Sequence, residues 1–232
     1  MLLESLRNEV LHANQEIARR GLAPHTFGNA SGIDRTGAKH LVVIKPSGVD
    51  YASMKPVDLV VTDLDGNIIE GSLRPSSDLD THTLLYREFP QIGGIVHTHS
   101  AHATAWAQAR REIPCLGTTH ADYFHGPIPV TDPMTEAEIE TDYELNTGRA
   151  IIRRFSDLNP LSMPAVLVAG HAPFTWGRSA MEAARHAVIL EEVAKLAYRS
   201  VALEGEIRTL ERALHDKHFL RKNGPAAYYG QK

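Results

Sequence analysis

The chain has 232 residues, with 24 lysines and arginines against 28 aspartates and glutamates, and a net charge of −4 when histidine is neutral. This balance argues against a protein that binds a nucleic-acid backbone, because neutralising phosphates needs clustered cations. One cysteine, Cys115, cannot form an intramolecular disulfide. We expect no secretory leader and no membrane partner, since no apolar run approaches about 18 residues, and therefore a cytoplasmic protein.

The residue patterns predict one domain, residues 1–232, that mixes helices and strands. In chain order, the first half predicts a helix over 2–20, an irregular glycine-rich segment over 27–37, a strand over 41–48 and a hairpin over 58–71. A helix over 77–89 with Ser76 or Ser77 as its N-cap, a strand over 93–100 and a helix over 101–110 follow. The second half predicts a helix from Thr135 to about Phe155, a strand over 165–170, a long helix after Ser179 and a polar tail from 216.

The motif GGIVHTHS places two histidines, His97 and His99, two residues apart on a predicted strand. Side chains alternate along a strand, so both imidazoles project from one face, with Cα atoms about 6–7 Å apart. His171 ends another predicted strand. Three neutral imidazoles with an open coordination position are typical of a catalytic zinc site. The alternative is that strand histidines are satisfied by backbone partners, and the short motif alone leaves it open.

Three polar turns are candidates for binding an anion. The motif RPSSDLDTH puts Ser76, Ser77 and Asp78 at a predicted helix start, where free N–H groups and the helix dipole favour negative charge. The pair Gly28-Asn29 and the turn from Lys45 through Ser47 to Gly48 also expose backbone N–H groups, and together the three turns fit a phosphate. The alternative is simple helix capping and ordinary turns, since each signal alone is common.

Two further segments concentrate polar and aromatic groups. THADYFHG, residues 119–126, carries Asp122 among two histidines and a tyrosine, and a solvated loop is the alternative interpretation. Tyr228 and Tyr229 lie in a tail that frays unless it docks on a neighbour. A tyrosine serves as an acid or base when its surroundings assist.

Six separated motifs together resemble one family: FGNASGIDR, IKPSGVDY, RPSSDLDTH, GGIVHTHS, GTTHADYF and DKHFLRKNGPAAYYGQ. They are similar, in order, to those of the L-ribulose-5-phosphate 4-epimerases, members of the class II metal-dependent aldolase superfamily. The resemblance implies a single-domain α/β fold of three layers, with a central, mostly antiparallel β-sheet flanked by helices. It also implies a homotetramer with active sites between subunits and a role in pentose degradation such as arabinose catabolism.

The resemblance assigns roles to individual positions of this chain. A divalent metal, Zn²⁺ or one such as Mn²⁺ or Co²⁺, would be held by Asp78, His97, His99 and His171. The sugar-phosphate substrate would be bound by Gly28, Asn29, Lys45, Ser47, Gly48, Ser76 and Ser77. The acid/base pair would be Asp122 and Tyr229, supplied by an adjacent subunit on which the tail, about residues 215–232, docks. His218 and Arg221 would line the same interface.

The implied reaction interconverts L-ribulose 5-phosphate and D-xylulose 5-phosphate. The inverted carbon, C4, bears no acidic hydrogen, so the family cleaves the C3–C4 bond, turns the released aldehyde over and re-forms the bond on its other face. Two positions depart from the expected pattern. Ala172 stands where we expect glycine after the third histidine, and Gly32 stands where we expect a bulkier residue. Both bear on substrate preference more than on reaction type.

Other interpretations of the same motifs remain. A class II aldolase that cleaves fuculose 1-phosphate resembles this chain, but those aldolases place a glutamate near the metal where this chain has Asp78. A non-catalytic scaffold like the adducin head domain is the second alternative, and loss of the metal ligands would mark it. A third is epimerisation of a related pentulose phosphate.

Overall fold

The computed structural model describes residues 1–203, 208–224 and 227–230. Seven strands form one sheet: β1 Gly28–Asp34, β2 Leu41–Ile44, β3 Val60–Asp63, β4 Ile68–Glu70, β5 Gly94–Thr98, β6 Ala165–Leu167 and β7 Pro173–Gly177. The helices are α1 Glu4–Arg19, α2 Leu79–Glu88, α3 Ala101–Gln108, α4 Thr118–Ala121, α5 Glu136–Glu140, α6 Tyr143–Arg154, α7 Ala180–Leu203 and α8 Arg212–Asn223. A short 3₁₀ helix, Pro56–Asp58, precedes β3.

The sheet has the order β4-β3-β2-β1-β5-β7-β6, and every neighbouring pair is antiparallel. Alternation along the strands sends Val43, Val61 and Val96 to one face, where α1 and the first half of α7 cover them. Ile44, Val60 and Ile95 face the opposite way, towards α2 and α6. The result is a single mixed α/β domain of three layers, which confirms the expected fold class.

The glycine-rich segment predicted as irregular is instead the central strand β1. It pairs with β2 on one side and β5 on the other, so pairing on both edges overrides the low strand propensity of its glycines. The absence of a side chain at Gly32 also allows α1 to pack closely on β1. A Cβ there would lie 2.7 Å from Leu6 and 3.0 Å from Val10 of α1, so the helix packs closely only over a glycine.

Helix α2 begins later than the sequence pattern predicts. Its N-cap is Asp78, whose side chain makes no capping hydrogen bond, so neither Ser76 nor Ser77 is the cap. Ser76 Oγ accepts hydrogen bonds from the Asn29 amide and the Asp78 N–H, at 3.0 and 3.4 Å. The serines therefore shape the turn before the helix, and the Asp78 carboxylate stays available to the space beyond it.

The second half of the chain differs from the prediction in three elements. The capping box of Thr135 and Glu138 is present, but the helix that it opens breaks after Glu140 and restarts at Tyr143. Strand β7 was not predicted. It begins at Pro173, and a strand tolerates proline at its first residue. The tail predicted as polar and irregular begins in helix α8, which packs against α4. Among the described residues, none of the helices combines the length and apolar character that a membrane crossing needs.

Candidate active site

Three histidines converge at the end of β5. His97 lies in β5, His99 follows it directly, and His171 lies in the turn between β6 and β7. Because β7 pairs with β5, with Phe174 opposite His97, the turn before β7 delivers His171 to the same edge. The ring centroids lie 4.8, 4.9 and 5.1 Å apart, and one nitrogen from each ring lies within 4.8 Å of the others. We call these three residues the histidine cluster.

The hydrogen bonds at His97 fix which nitrogen faces the cluster. Its Nδ1 lies 3.0 Å from the Pro173 carbonyl oxygen, which can only accept, so Nδ1 carries the proton and Nε2 keeps its lone pair. The His97 ring also stacks on Phe174, at 4.3 Å between centroids. Its Nε2 lies 3.1 Å from His99 Nε2, close to the separation of about 3.3 Å between two nitrogens of a tetrahedral zinc site. A hydrogen bond from the second N–H to a backbone carbonyl is the usual support of a metal-ligating histidine.

Burial keeps the histidine cluster uncharged at neutral pH. It lowers the pKa of His97 and His99, and lowers that of His171 to about 4. Neutral imidazole is the form that binds a metal, because protonation removes the lone pair. The donor set therefore fits a divalent cation such as Zn²⁺.

Asp78 lies beside the histidine cluster, outside its compact set of nitrogens. The Asn29 side-chain amide donates a hydrogen bond to Asp78 Oδ2 at 2.6 Å. Burial raises the pKa of this carboxyl. In the acid range where the carboxyl titrates, the attraction of protonated His97 and His82 and the Asn29 hydrogen bond lower the pKa more, so the net pKa lies below its ordinary value. Asp78 is thus an ionised carboxylate held at the edge of the cluster.

One cleft of about 340 Å³ contains the histidine cluster, Asp78 and all seven predicted phosphate-binding positions: Gly28, Asn29, Lys45, Ser47, Gly48, Ser76 and Ser77. Gly28 has φ +114°, and a Cβ there would lie 2.7 Å from the His97 carbonyl oxygen, so this corner of the cleft admits only glycine. A larger cavity of about 480 Å³ lies between α3 and α7 around Trp106 and Tyr198, and it contains none of the predicted site residues.

Backbone pairing and one buried tyrosine hold the predicted phosphate-binding turns in place. Ser76 N–H donates to the Lys45 carbonyl at 2.9 Å, which fixes two of the predicted turns together. Lys45 is buried, and its ammonium donates to the Pro46 carbonyl at 3.2 Å and lies 4.8 Å from the centre of the Tyr51 ring. The Tyr51 hydroxyl donates to the Gly28 carbonyl at 2.7 Å. Burial lowers the pKa of Lys45, opposed in part by the charge of Asp50.

Four further residues line the cleft that the sequence analysis did not single out: Thr26, Phe27, Tyr143 and Glu144. The Tyr143 hydroxyl lies 3.4 Å from His171 Nδ1. Tyr143 and Glu144 were predicted inside one continuous helix, where they would be unremarkable. The signal that could have found them is Asp142, a residue type common at helix starts, which follows β-branched Thr141 in the middle of the predicted helix.

Asp122 and Tyr229 both contact Arg221 and Lys222, at the end of α8. Asp122 follows α4, and its carboxylate accepts hydrogen bonds from His218, Arg221 and Lys222 at 2.9–3.1 Å. Burial raises the pKa of Asp122, but these hydrogen bonds lower it more, and the net pKa is below normal. The Tyr229 ring lies 4.9 Å from the Arg221 guanidinium and 4.4 Å from the Lys222 ammonium. Neither Asp122 nor Tyr229 is among the described residues that line the cleft.

Ala172, the departure beside the third histidine, is fully buried in the turn that presents His171. Its carbonyl accepts the Val168 N–H at 3.0 Å, and Ala172 does not line the cleft. The alanine is therefore part of the turn's framework.

The antiparallel three-layer fold thus places a histidine cluster and a set of polar turns in one cleft. The model of the family called Class II Aldolase and Adducin N-terminal domain matches residues 8–198, and the chain belongs to this family. Class II aldolases use a divalent metal, usually Zn²⁺.

Three solved structures illustrate the similarity. An L-fuculose 1-phosphate aldolase is 26% identical, with a TM-score of 0.78 over 94% of this chain and 96% of its own. YgbL from Klebsiella pneumoniae, named as a candidate aldolase/epimerase/decarboxylase, is 26% identical, with a TM-score of 0.73 over 94% and 99%. The L-fuculose-1-phosphate aldolase of Thermus thermophilus is 25% identical, with a TM-score of 0.68 over 87% and 98%.

Proposed function

We propose that this chain is a metal-dependent sugar-phosphate 4-epimerase that interconverts L-ribulose 5-phosphate and D-xylulose 5-phosphate. The observation that carries the proposal is the shared cleft, which is lined by the histidine cluster, by Asp78 and by all the predicted phosphate-binding positions. Its volume of about 340 Å³ falls at the small end of the range for ligand pockets, about 300–1,000 Å³, as a five-carbon sugar phosphate requires.

His97, His99, His171 and Asp78 would hold the divalent metal. When bound, the metal supplies Lewis-acid stabilisation of the negative charge that develops on the substrate oxygens as the C3–C4 bond breaks. The chain itself orients these ligands. The Pro173 carbonyl accepts a hydrogen bond from neutral His97, and the Asn29 amide donates one to the Asp78 carboxylate.

The predicted phosphate-binding positions would hold the substrate fragment that carries the phosphate. Inversion at C4 requires this aldehyde to turn over and present its other face, so it must rotate without leaving. The Lys45 ammonium, the Ser47 and Ser76 hydroxyls and the turn N–H groups supply an anchor about which it can rotate. Buried Asn29 Oδ1 has no hydrogen-bond partner among the described residues, so it can accept from a sugar hydroxyl.

Asp122 and Tyr229 would move the proton at the C4 oxygen, one on each face of the aldehyde. Their position away from the chain's own cleft supports a shared site, in which an adjacent copy of the chain supplies both residues. The contacts of α8 support this arrangement, because its side chains bind the Asp122 carboxylate and pack on the Tyr229 ring, so both residues would be presented by the same helix.

A second candidate function is aldol cleavage of a sugar phosphate with release of both fragments. The similarity to L-fuculose 1-phosphate aldolase, at 26% identity over 94% of this chain, favours it. The two reactions share the bond-breaking step and differ in whether the aldehyde is retained. Only a product analysis separates them.

The test is a coupled assay for D-xylulose 5-phosphate formed from L-ribulose 5-phosphate, with parallel detection of free aldehyde phosphate. It uses protein as purified, chelated protein and zinc-restored protein. We expect epimerised product that disappears on chelation, returns with zinc and is absent in His97→Asn. Exposed His12 provides the matched control, because His12→Asn removes a histidine far from the cleft.

Free aldehyde phosphate without epimerised product, or cleavage of L-fuculose 1-phosphate at a higher kcat/KM, would replace the epimerase with the aldolase. A folded, metal-loaded protein that does neither would overturn both proposals and favour a scaffold.

A further inference from the structure

A second group of metal-binding side chains lies outside the cleft, where α8 meets the loop after α4. It consists of His125, which follows that loop, and of His215 and Asp216 in the first turns of α8. We call these three residues the α8 cluster. One donor atom from each lies within 4.8 Å of the others, and in the described part of the chain only the histidine cluster shares this property.

The distances within the α8 cluster match a metal site. Asp216 Oδ1 lies 3.1 Å from His215 Nδ1 and 3.4 Å from His125 Nε2. Ligand atoms about 2.0–2.2 Å from one ion in tetrahedral geometry are separated by about 3.3–3.5 Å. The two imidazoles meet edge to face, at 4.9 Å between centroids, and one nitrogen of each lies near the same carboxylate oxygen. Two histidines and one carboxylate are a common donor set for Zn²⁺ and similar cations.

The residues around the α8 cluster orient His215 and leave the other two side chains accessible to an ion from solvent. His215 is buried, and its Nε2 lies 3.3 Å from the Phe124 carbonyl oxygen, the kind of partner that orients a metal-ligating histidine. His125 and Asp216 are partly exposed and border a cavity of about 320 Å³ that opens to solvent. The guanidinium of exposed Arg212 lies 3.5 Å from the other oxygen of Asp216 and holds the carboxylate in place.

The hydrogen bonds at His215 show what binding an ion requires. Gly126 N–H donates to His215 Nε2 at 3.1 Å, so without an ion the ring proton lies on Nδ1 and is donated to Asp216. With an ion on Nδ1, the proton lies on Nε2 and is donated to Phe124. Binding the ion therefore moves the ring proton from one nitrogen to the other, and Gly126 N–H loses its acceptor.

We propose that His125, His215 and Asp216 bind a second divalent cation of the Zn²⁺ class, separate from the histidine cluster. This ion would connect the chain just after Asp122 to the start of α8, the helix whose His218, Arg221 and Lys222 hold the Asp122 carboxylate. The second ion therefore fastens α8 in the position that presents Asp122.

The experiment counts bound zinc in untagged full-length protein equilibrated with micromolar Zn²⁺. We expect two equivalents in the wild type, one in His125→Ala, one in Asp216→Asn and one in His97→Asn. The double variant His97→Asn/Asp216→Asn should bind none, and His12→Ala should bind two. Asp216→Asn keeps the size of the side chain, so it tests the site even where loss of a ring disturbs folding.

Hydrogen exchange provides a second measurement. Occupying the second site should slow amide exchange across residues 212–223 in the wild type and leave it unchanged in Asp216→Asn, because only the intact cluster couples the ion to α8. The proposal is overturned by a wild type that binds one equivalent, or by His125→Ala and Asp216→Asn proteins that bind as much zinc as the wild type. If the histidine cluster binds no metal, which would overturn the proposed function instead, the His97→Asn protein should bind as much zinc as the wild type.

Discussion

At the scale of single residues, one buried lysine carries the positive charge of the predicted phosphate-binding positions. Lys45 is 2% exposed, and its ammonium meets one carbonyl and the face of the Tyr51 ring. Among the described residues, no carboxylate forms an ion pair with this ammonium, and a buried ammonium of this kind gains most from an anion that enters the cleft. Tyr51 positions both sides of this cradle, since its ring faces Lys45 and its hydroxyl holds Gly28.

Two substitutions of Tyr51 separate these contributions. Tyr51→Phe keeps the ring and removes the hydrogen bond to Gly28, and we expect KM for the sugar phosphate to rise several-fold. Tyr51→Leu also removes the cation–π contact, worth about 1–2 kcal/mol when desolvated, so KM should rise about tenfold or more. kcat should change less than KM in both, because Tyr51 does not line the cleft. Tyr198→Leu, at an exposed tyrosine, is the control and should leave KM unchanged. If both Tyr51 variants lower Tm but leave KM at the wild-type value, Tyr51 has only a structural role.

The residues of the cleft were predictable where a local pattern determines their position. His97 and His99 share a strand face by spacing alone, and Ser47 and Ser76 lie in recognisable turns. Tyr51, Tyr143 and Glu144 were not predicted. Tyr51 acts through contacts with chain far away in sequence, and the other two depend on a helix break that tertiary packing determines.

At the scale of elements, helix α1 packs on β1 because Gly32 has no side chain. Gly32→Val should clash with Leu6 and Val10 and lower the free energy of unfolding by about 1–3 kcal/mol, the usual cost of overpacking. Gly37→Val is the matched control, because a Cβ at Gly37 meets only backbone atoms at 3.5 Å or more. Denaturant unfolding of both variants measures the difference. A Gly32→Val protein as stable as Gly37→Val would contradict this account of the packing.

The elements that sequence patterns missed share one physical cause. β1 is rich in glycine, β7 is five residues long with a proline and a glycine at its ends, and α8 buries two of its twelve residues. Each therefore carries a weak local signal and is stabilised by neighbours distant in sequence. β1 pairs on both edges, β7 pairs with β5 and β6, and α8 is fixed on α4 by the Asp122 ion pairs. The elements with strong apolar periodicity, α1 and α7, were predicted within two or three residues of their observed starts.

At the scale of the whole molecule, buried histidines make stability depend on pH. Burial lowers the pKa of His120 to about 4, and its Nε2–H donates to the Gly126 carbonyl at 2.8 Å. The unfolded chain takes up this proton near pH 6.5, before the folded chain does. Stability from this group is therefore complete above pH 6.5 and falls by about 3 kcal/mol towards pH 4.

His120→Gln should flatten that dependence, because glutamine does not titrate and its amide can still donate to Gly126. Urea unfolding at pH 7.5 and 4.5 should show a smaller difference in unfolding free energy for His120→Gln than for the wild type, by about 2–3 kcal/mol. Exposed His12→Gln should match the wild type. An unchanged difference in His120→Gln would mean that His120 is protonated in the folded state.

If Asp122 and Tyr229 are the acid/base pair of the proposed function, their position outside the cleft predicts how active sites are completed in an assembly. His97 and Asp78 line the cleft, while Asp122 and Tyr229 both contact Arg221 outside it. If a neighbouring copy supplies the pair, a site needs His97 from one chain and Tyr229 from another. In an equal random mixture of His97→Asn and Tyr229→Phe chains, about one quarter of the interfaces then combine two intact halves.

We therefore expect each variant alone to be inactive and the reassembled mixture to recover about a quarter of wild-type activity. A mixture of His97→Asn with Asp78→Asn is the matched control and should recover none, because both lesions lie in the same half and no pairing of these chains completes a site. Mass spectrometry of the intact assemblies must show that hybrids have formed. Hybrids of His97→Asn and Tyr229→Phe without activity would mean that each site is built within one chain, and α8 would then have to move to bring Asp122 to its own cleft.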